Sequence, residues 1–134
     1  MKGILLVSHG KLASGMKDTV ELFSGKVEHL DVLELELEQE IAEFNQLLRT
    51  RLAALDSGQG VVVFCDLAFG TPSNLVAKLL GEAEYEENVQ LITGMNLPMV
   101  LEYTQLRNAE LDVEELIQIG REGILDFNEK LKSR

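Results

Sequence analysis

Two short runs of this chain, Gly3-Ile4-Leu5-Leu6-Val7 and Val61-Val62-Val63-Phe64-Cys65, are apolar at every position. A strand with one wet face alternates polar and apolar residues, so a strand without alternation has to be covered on both sides. That condition is met in the middle of a sheet that carries helices on both faces. The two runs are therefore read as the central strands of an α/β fold, and the rest of the chain has to supply the edges and the covering helices.

The segments around them alternate strand and helix. Leu12, Met16, Val20 and Phe23 recur at helical spacing, with Gly25 placed to end that helix. The stretch from Val27 to Leu35 mixes Val27, Leu30, Val32 and Leu33 with Glu28, His29, Asp31 and Glu34, a polarity that suits a sheet edge. Leu37, Ile41, Phe44, Leu48, Leu52 and Leu55 lie on one stripe of a second helix, which leaves through Ser57-Gly58-Gln59-Gly60. Thr71-Pro72 opens a third helix, with Thr71 as its N-cap and Pro72 in the first turn, where a missing N–H is tolerated. A fourth strand covers Val89 to Thr93, and Gly94-Met95-Asn96-Leu97-Pro98 turns into a fourth helix. Asp112-Val113-Glu114-Glu115 has the form of a capping box for a fifth. Gly120 and Gly123 interrupt that last segment, and the pattern leaves Ile124 to Phe127 open between continued helix and short strand.

With the polar strands at the edges and right-handed crossovers, the expected sheet order is 2-1-3-4, doubly wound and mainly parallel, with helices on both faces. Strands one and three are then neighbours whose following helices leave on opposite faces. Such a topological switch point is where open α/β sheets build their sites. His9, in Ser8-His9-Gly10-Lys11-Leu12, ends the first strand there, and Asp66 ends the third.

At 134 residues, 46% of them hydrophobic and 26% charged, the chain reads as one soluble domain spanning 1–134. Its formal charge of -11 argues against nucleic-acid binding, which needs lysines and arginines on phosphates. The acidity suits a basic protein partner, although solubility alone also accounts for it. No apolar run is long enough to cross a bilayer and no signal-peptide pattern precedes the first strand, so a cytoplasmic location is expected. The single cysteine, Cys65, lies inside an apolar strand and reads as a small buried hydrophobe. No disulfide or cysteine-based metal site follows from it, and neither metal nor cofactor is expected.

A histidine and an aspartate ending adjacent strands can hydrogen-bond. The carboxylate then holds one ring N–H, and the other nitrogen faces outward with its lone pair free. His9 is accordingly a candidate nucleophile oriented by Asp66, set against the plainer possibility of a satisfied structural histidine in a tight turn. Acyl transfer and zinc hydrolysis both lack parts, because there is no G-x-S-x-G elbow and no second histidine at ligand spacing. His29, on the edge strand, reads as a solvated surface residue. Phe69-Gly70-Thr71-Pro72-Ser73-Asn74 brings a glycine, hydroxyls and a helix N-terminus directly after Asp66, a combination suited to phosphate, although Thr71-Pro72 is also simply a good helix start. Gly10, Gly70, Thr71 and Ser73 are the candidate phosphate-binding residues. A histidine needs no metal to take a phosphoryl group already activated as phosphohistidine.

Ser8-His9-Gly10, Asp66-Leu67-Ala68-Phe69-Gly70-Thr71-Pro72-Ser73-Asn74, Gly94-Met95-Asn96-Leu97-Pro98-Met99-Val100-Leu101-Glu102 and Gly120-Arg121-Glu122-Gly123 together resemble the enzyme IIA component of the mannose-type bacterial sugar phosphotransferase system, in the right order and over nearly the whole chain. The resemblance implies that His9 accepts a phosphoryl group from the histidine-containing phosphocarrier protein and passes it to a IIB component that phosphorylates sugar during uptake. Asp66 would orient His9, and the turn Gly70-Thr71-Pro72-Ser73 would cradle the phosphate. The chain would not itself enter the membrane but would associate with the membrane IIC and IID components through IIB. A homodimer is also implied, in which an antiparallel C-terminal strand, falling between Arg121 and Phe127, is exchanged between subunits. One departure stands out: Phe69 occupies a position where the family usually has a glycine, which restricts the phosphate loop. Phe69 forms either a hydrophobic contact surface for the phosphocarrier or loop packing. Asn96 and Met99, on the same side as His9, frame the partner site or serve helix initiation and packing, with Asn96 as the cap.

Two other functions compete. The same chemistry serves a dihydroxyacetone kinase when the domain is its phosphoryl donor. A histidine phosphatase also uses a strand-end histidine, but it resembles R-H-G and needs a second catalytic histidine, whereas Ser8 precedes His9 here and the other histidine is His29. A nucleotide- or flavin-binding module lacks its G-x-G-x-x-G.

Overall fold

A computed structural model describes residues 1–109 and 111–133. The elements are β1 (Gly3–His9), α1 (Leu12–Ser24), β2 (Leu30–Leu35), α2 (Ile41–Leu55), β3 (Val61–Cys65), α3 (Thr71–Leu79), α4 (Ala83–Glu86), β4 (Val89–Ile92), α5 (Leu97–Leu106), α6 (Val113–Glu122) and α7 (Phe127–Lys132). The sheet order is β2-β1-β3-β4, as expected. All three pairings are parallel, with Val7 beside Leu33 on one side and Cys65 on the other.

The unbroken apolar runs are explained by two cores, one on each face. Ile4 and Leu6 of β1 and Val62 and Phe64 of β3 pack with Ala13 and Val20 of α1, Met99, Val100 and Tyr103 of α5, and Leu116 of α6. Leu5 and Val7, with Val61, Val63 and Cys65, pack against Phe44, Leu48, Leu52 and Leu55 of α2 and Val76 and Leu79 of α3. Each large aliphatic or aromatic side chain buried this way contributes about 1.5–3 kcal/mol relative to exposure. Helices α1 and α3 thus leave β1 and β3 on opposite faces, and the switch point lies between those strands.

Several boundaries differ from the sequence pattern, each for a local reason. Strand β2 starts at Leu30 rather than Val27, because His29 turns the chain with φ 52°. Helix α2 starts at Ile41, not Leu37: Glu38 adopts φ 67°, which breaks the helix, and Leu37 protrudes at 94% exposure although its spacing matched the buried stripe. Helix α3 is capped by Gly70, with Thr71 already inside it. Short α4 gave no periodic signal. The segment left open resolves as an extended link, residues 124–126, followed by α7, whose N-cap Asp126 accepts from the Glu129 N–H. No antiparallel strand joins the sheet among the described residues. A strand requires an edge to pair with, and within one chain Ile124, Leu125 and Phe127 stay exposed instead.

Candidate active site

Because β1 and β3 are adjacent and in register through Val7 and Cys65, their next residues converge at the carboxyl end of the sheet. The Asp66 N–H donates to Val7 O at 3.1 Å, which holds the start of the β3–α3 loop against β1. The Asp66 Oδ2 atom accepts from the His9 backbone N–H at 3.0 Å and lies 3.0 Å from His9 Nδ1. One carboxylate oxygen therefore grips both the main chain and the ring of the same histidine. The Asp66 side chain is 12% exposed and that of His9 45%, so the carboxylate sits beneath a reachable ring. Asp66 Oδ1 is buried and has no hydrogen-bond partner among the described residues. With Nδ1–H on Asp66, the lone pair of His9 is on Nε2.

The Nε2 side of the ring faces the β3–α3 loop. A β-carbon at Gly70 would lie 2.8 Å from His9 Cε1 and 3.3 Å from Nε2, so only glycine lets the loop come this close. Gly70 caps α3 in an extended conformation, and its carbonyl accepts from the Asn74 N–H at 2.9 Å. Pro72 has no N–H. The Thr71 and Ser73 N–H groups donate to nothing among the described residues, leaving the α3 N-terminus open to an anion next to Nε2. The Ser73 hydroxyl is not part of that opening: it is buried and donates to Gly70 O at 3.1 Å. Thr71 is exposed. Phe69 stands at φ 63°, in the left-handed region that a glycine would occupy without strain, and is 92% exposed. The loop thus keeps the glycine conformation despite the side chain, and Phe69 does not pack the loop.

Three further candidate residues are committed to local contacts. Gly10 offers no donor to phosphate, because its N–H is spent on Leu35 O at 3.0 Å. Asn96 and Met99 serve helix initiation and packing, the second of the two roles expected of them. Asn96 caps α5 by accepting from the Met99 N–H at 3.2 Å and also donates to Gly120 O at 2.7 Å, tying α5 to α6. Met99 is buried, and a β-carbon at Gly120 would fall 2.6 Å from its methyl, so the pair is a packing joint between the two helices.

Further groups around His9 have contacts that the sequence pattern does not show. The N-terminus of α1, also beside His9, is closed: the Ala13 N–H donates to Ser8 Oγ at 2.9 Å and the Ser14 N–H to a Glu34 carboxylate oxygen at 2.9 Å. Ser8 is visible in its motif, but its contacts depend on the turn that follows. Leu37, Glu36 and Glu38 sit exposed on the β2–α2 turn flanking His9. Cys65, adjacent to Asp66, is buried, and burial with a smaller push from the Asp66 charge raises its thiol to about 12. It has no nucleophilic role. A cavity of about 680 Å³ lined by Lys2, Tyr103 and Arg107 lies at the opposite end of the strands. There the Arg107 guanidinium donates to the carbonyls of Lys2, Glu28 and His29, so that end is held together by the arginine and is remote from His9.

Known proteins similar to this chain identify its family. The family model described as PTS system fructose IIA component matches residues 3–119. The chain is 26% identical over 125 residues to the PTS system mannose-specific EIIAB component of Escherichia coli (strain K12), covering 90% of this chain but 38% of that protein. It therefore spans well under half the length of that relative. It is also 26% identical over 134 residues to the PTS system sorbose-specific EIIA component of Lacticaseibacillus casei, covering 96% of this chain and 92% of the relative. Among solved structures, the PTS IIA protein associated with the fucose utilization operon from Streptococcus pneumoniae superposes with a TM-score of 0.89 at 28% identity, over 97% of this chain and 96% of that one.

Proposed function

We propose, on the premise that this chain belongs to the PTS fructose IIA component family, that His9 is the phosphoryl carrier and that Nε2 is its reacting atom. The observation that carries this reading is the double grip of Asp66 Oδ2 on the His9 N–H and Nδ1, which leaves Nε2 pointing at Gly70 and the open N-terminus of α3.

The Nε2 lone pair attacks the phosphorus of a phosphohistidine on the donor, the histidine-containing phosphocarrier protein. The donor P–N bond breaks and its electron pair returns to the donor imidazole, while a new P–N bond forms on His9. The Nδ1 proton stays in place, and Asp66 balances the positive charge that the His9 ring acquires. The transferred group then meets the Thr71 and Ser73 N–H groups at the positive end of α3. Passing it to a nucleophile on IIB runs the same exchange in the other direction. Phosphoryl transfer asks mainly for position and charge stabilisation, both of which these groups supply.

Phe69, with the acidic β2–α2 turn on the other flank, supports docking of a basic carrier over His9. The exposed Ile124, Leu125, Phe127 and Leu131 support a homodimer in which a second copy covers the C-terminal segment. None of the helices among the described residues is long and apolar enough to cross a membrane; in the carrier reading, contact with membrane components runs through IIB. The phosphatase alternative is not favoured: His29, the other histidine, precedes β2 at the far end of the sheet and cannot serve His9. A dihydroxyacetone kinase as acceptor would use the same His9 chemistry with a different recipient.

The test is intact-mass analysis and acid lability after incubation with phosphoenolpyruvate, enzyme I and the phosphocarrier. One acid-labile phosphoryl group is expected, absent in His9→Ala and formed about 100-fold more slowly in Asp66→Asn, whose amide can favour the wrong tautomer. No adduct on the unaltered protein, with the other components active, would reject the reading.

A further inference from the structure

We infer that Ser8 is a positioning residue for the His9 imidazole, acting through the turn that carries it. Ser8 is fully buried, yet its hydroxyl is used in both directions: it donates to Gly10 O at 3.0 Å and accepts from the Ala13 N–H at 2.9 Å. The two bonds bridge the turn in which His9 and Gly10 link β1 to α1, and Gly10 there adopts φ 54°. The backbone around His9 is held at two further points besides the Gly10 carbonyl. The His9 N–H goes to Asp66 and the Gly10 N–H to Leu35 O, whereas the Gly10 carbonyl is held by Ser8. The Ser8 hydroxyl is thus what joins the turn to the first turn of α1.

The ring itself is half exposed and is guided by Asp66 on one side and Gly70 on the other. Its orientation consequently follows from where the backbone puts its β-carbon. There is little slack: Nδ1 is already at hydrogen-bond distance from Oδ2, and the opposite edge of the ring already touches Gly70. Loss of the Ser8 hydroxyl frees the Gly10 carbonyl and lets the turn relax, so the Nδ1–Asp66 bond lengthens and the proton distributes between the two ring nitrogens.

A plain helix-capping role is separable from this one, because the neighbouring helix donor is capped by a different residue. The Glu34 carboxylate takes the Ser14 N–H, and among the described residues it makes no side-chain hydrogen bond to His9 or Gly10. Glu34→Ala should therefore weaken the start of α1 as Ser8→Ala does, but leave the imidazole where it is.

The experiment is ¹⁵N NMR of the His9 ring in unphosphorylated full-length protein, comparing Ser8→Ala and Glu34→Ala with the unaltered chain, alongside thermal midpoints and the rate of phosphorylation by the phosphocarrier. Expected for Ser8→Ala is a visible drop in the Nδ1–H tautomer fraction and phosphorylation slowed by about fivefold or more. Expected for Glu34→Ala is a lowered midpoint with unchanged ring signals. Ring signals unchanged in Ser8→Ala, or moved equally by Glu34→Ala, overturn the inference. If Ser8→Ala does not fold, Ser8→Cys replaces it, since a thiol keeps the size but bonds weakly. The effect on transfer rests on the phosphoryl-carrier reading, whereas the tautomer shift does not. A shifted tautomer in a protein that takes no phosphoryl group upholds the positioning role and rejects the carrier.

Discussion

Gly70 lies against the His9 imidazole so closely that a β-carbon there would stand 2.8 Å from Cε1. The contact lets backbone rather than side chain line the Nε2 side of the ring, where the N–H groups of α3 begin. Gly70→Ala should push the ring off this position while leaving the cores intact. Phosphorylation of His9 should slow by about 100-fold, as expected for a displacement near 1 Å at a reacting atom. The thermal midpoint should change little. A rate within twofold of the unaltered protein would show that the contact is irrelevant to transfer.

Phe69 keeps a glycine-like backbone conformation at φ 63° while its side chain is almost wholly exposed. A left-handed conformation costs a non-glycine residue about 1–2 kcal/mol, part of which glycine gives back through greater freedom in the unfolded chain. Phe69→Gly should raise stability by about 0.5–1 kcal/mol in urea unfolding. If the ring contacts the phosphocarrier, the same substitution raises KM for the carrier and leaves the maximal rate nearly unchanged. Greater stability with an unaltered KM would remove Phe69 from the docking surface.

Cys65 differs from a free thiol chiefly because it is buried, with the Asp66 charge adding a smaller push, from 9.0 to about 12. The folded protein therefore holds the proton more tightly than the unfolded chain. The corresponding stability is complete below pH 9 and is lost as pH rises from 9 toward 12. Urea midpoints measured across that range should fall less steeply in Cys65→Ala than in the unaltered protein. At pH 8, a thiol reagent should react with the folded protein only at the rate of its opening.

Met99 and Asn96 belong to the joint between α5 and α6. Met99→Ala should destabilise the protein by about 2–5 kcal/mol, the range for emptying a core methionine site. Below its unfolding transition, the variant should take and pass phosphoryl groups at the normal rate with unchanged KM for the phosphocarrier. A raised KM in the folded variant would return Met99 to the partner surface.

What the sequence determined by itself was the strand order, the two-faced core and the meeting of His9 with Asp66. These follow from local pattern: an unalternating apolar strand admits only a central position, and the polar strands are left for the edges. The Asp66 grip could be anticipated because adjacent strand ends necessarily bring their next residues together. Tertiary structure alone decided which groups around that pair are available for chemistry. Gly10 looked like a phosphate donor until its N–H was found on Leu35, a residue on another strand. Between partner surface and packing, Met99 is settled as packing only by α6, which covers it through Gly120. Leu37 matched the helical stripe, yet Glu38 turned the chain before the helix began. Ser8 carried no signal beyond its place in the motif, since its two partners are brought to its hydroxyl only by the left-handed turn at Gly10. The physical reason is common to all four. Periodicity reports which way a side chain faces within its own element, whereas burial and hydrogen-bond commitment depend on atoms that folding supplies from elsewhere in the chain.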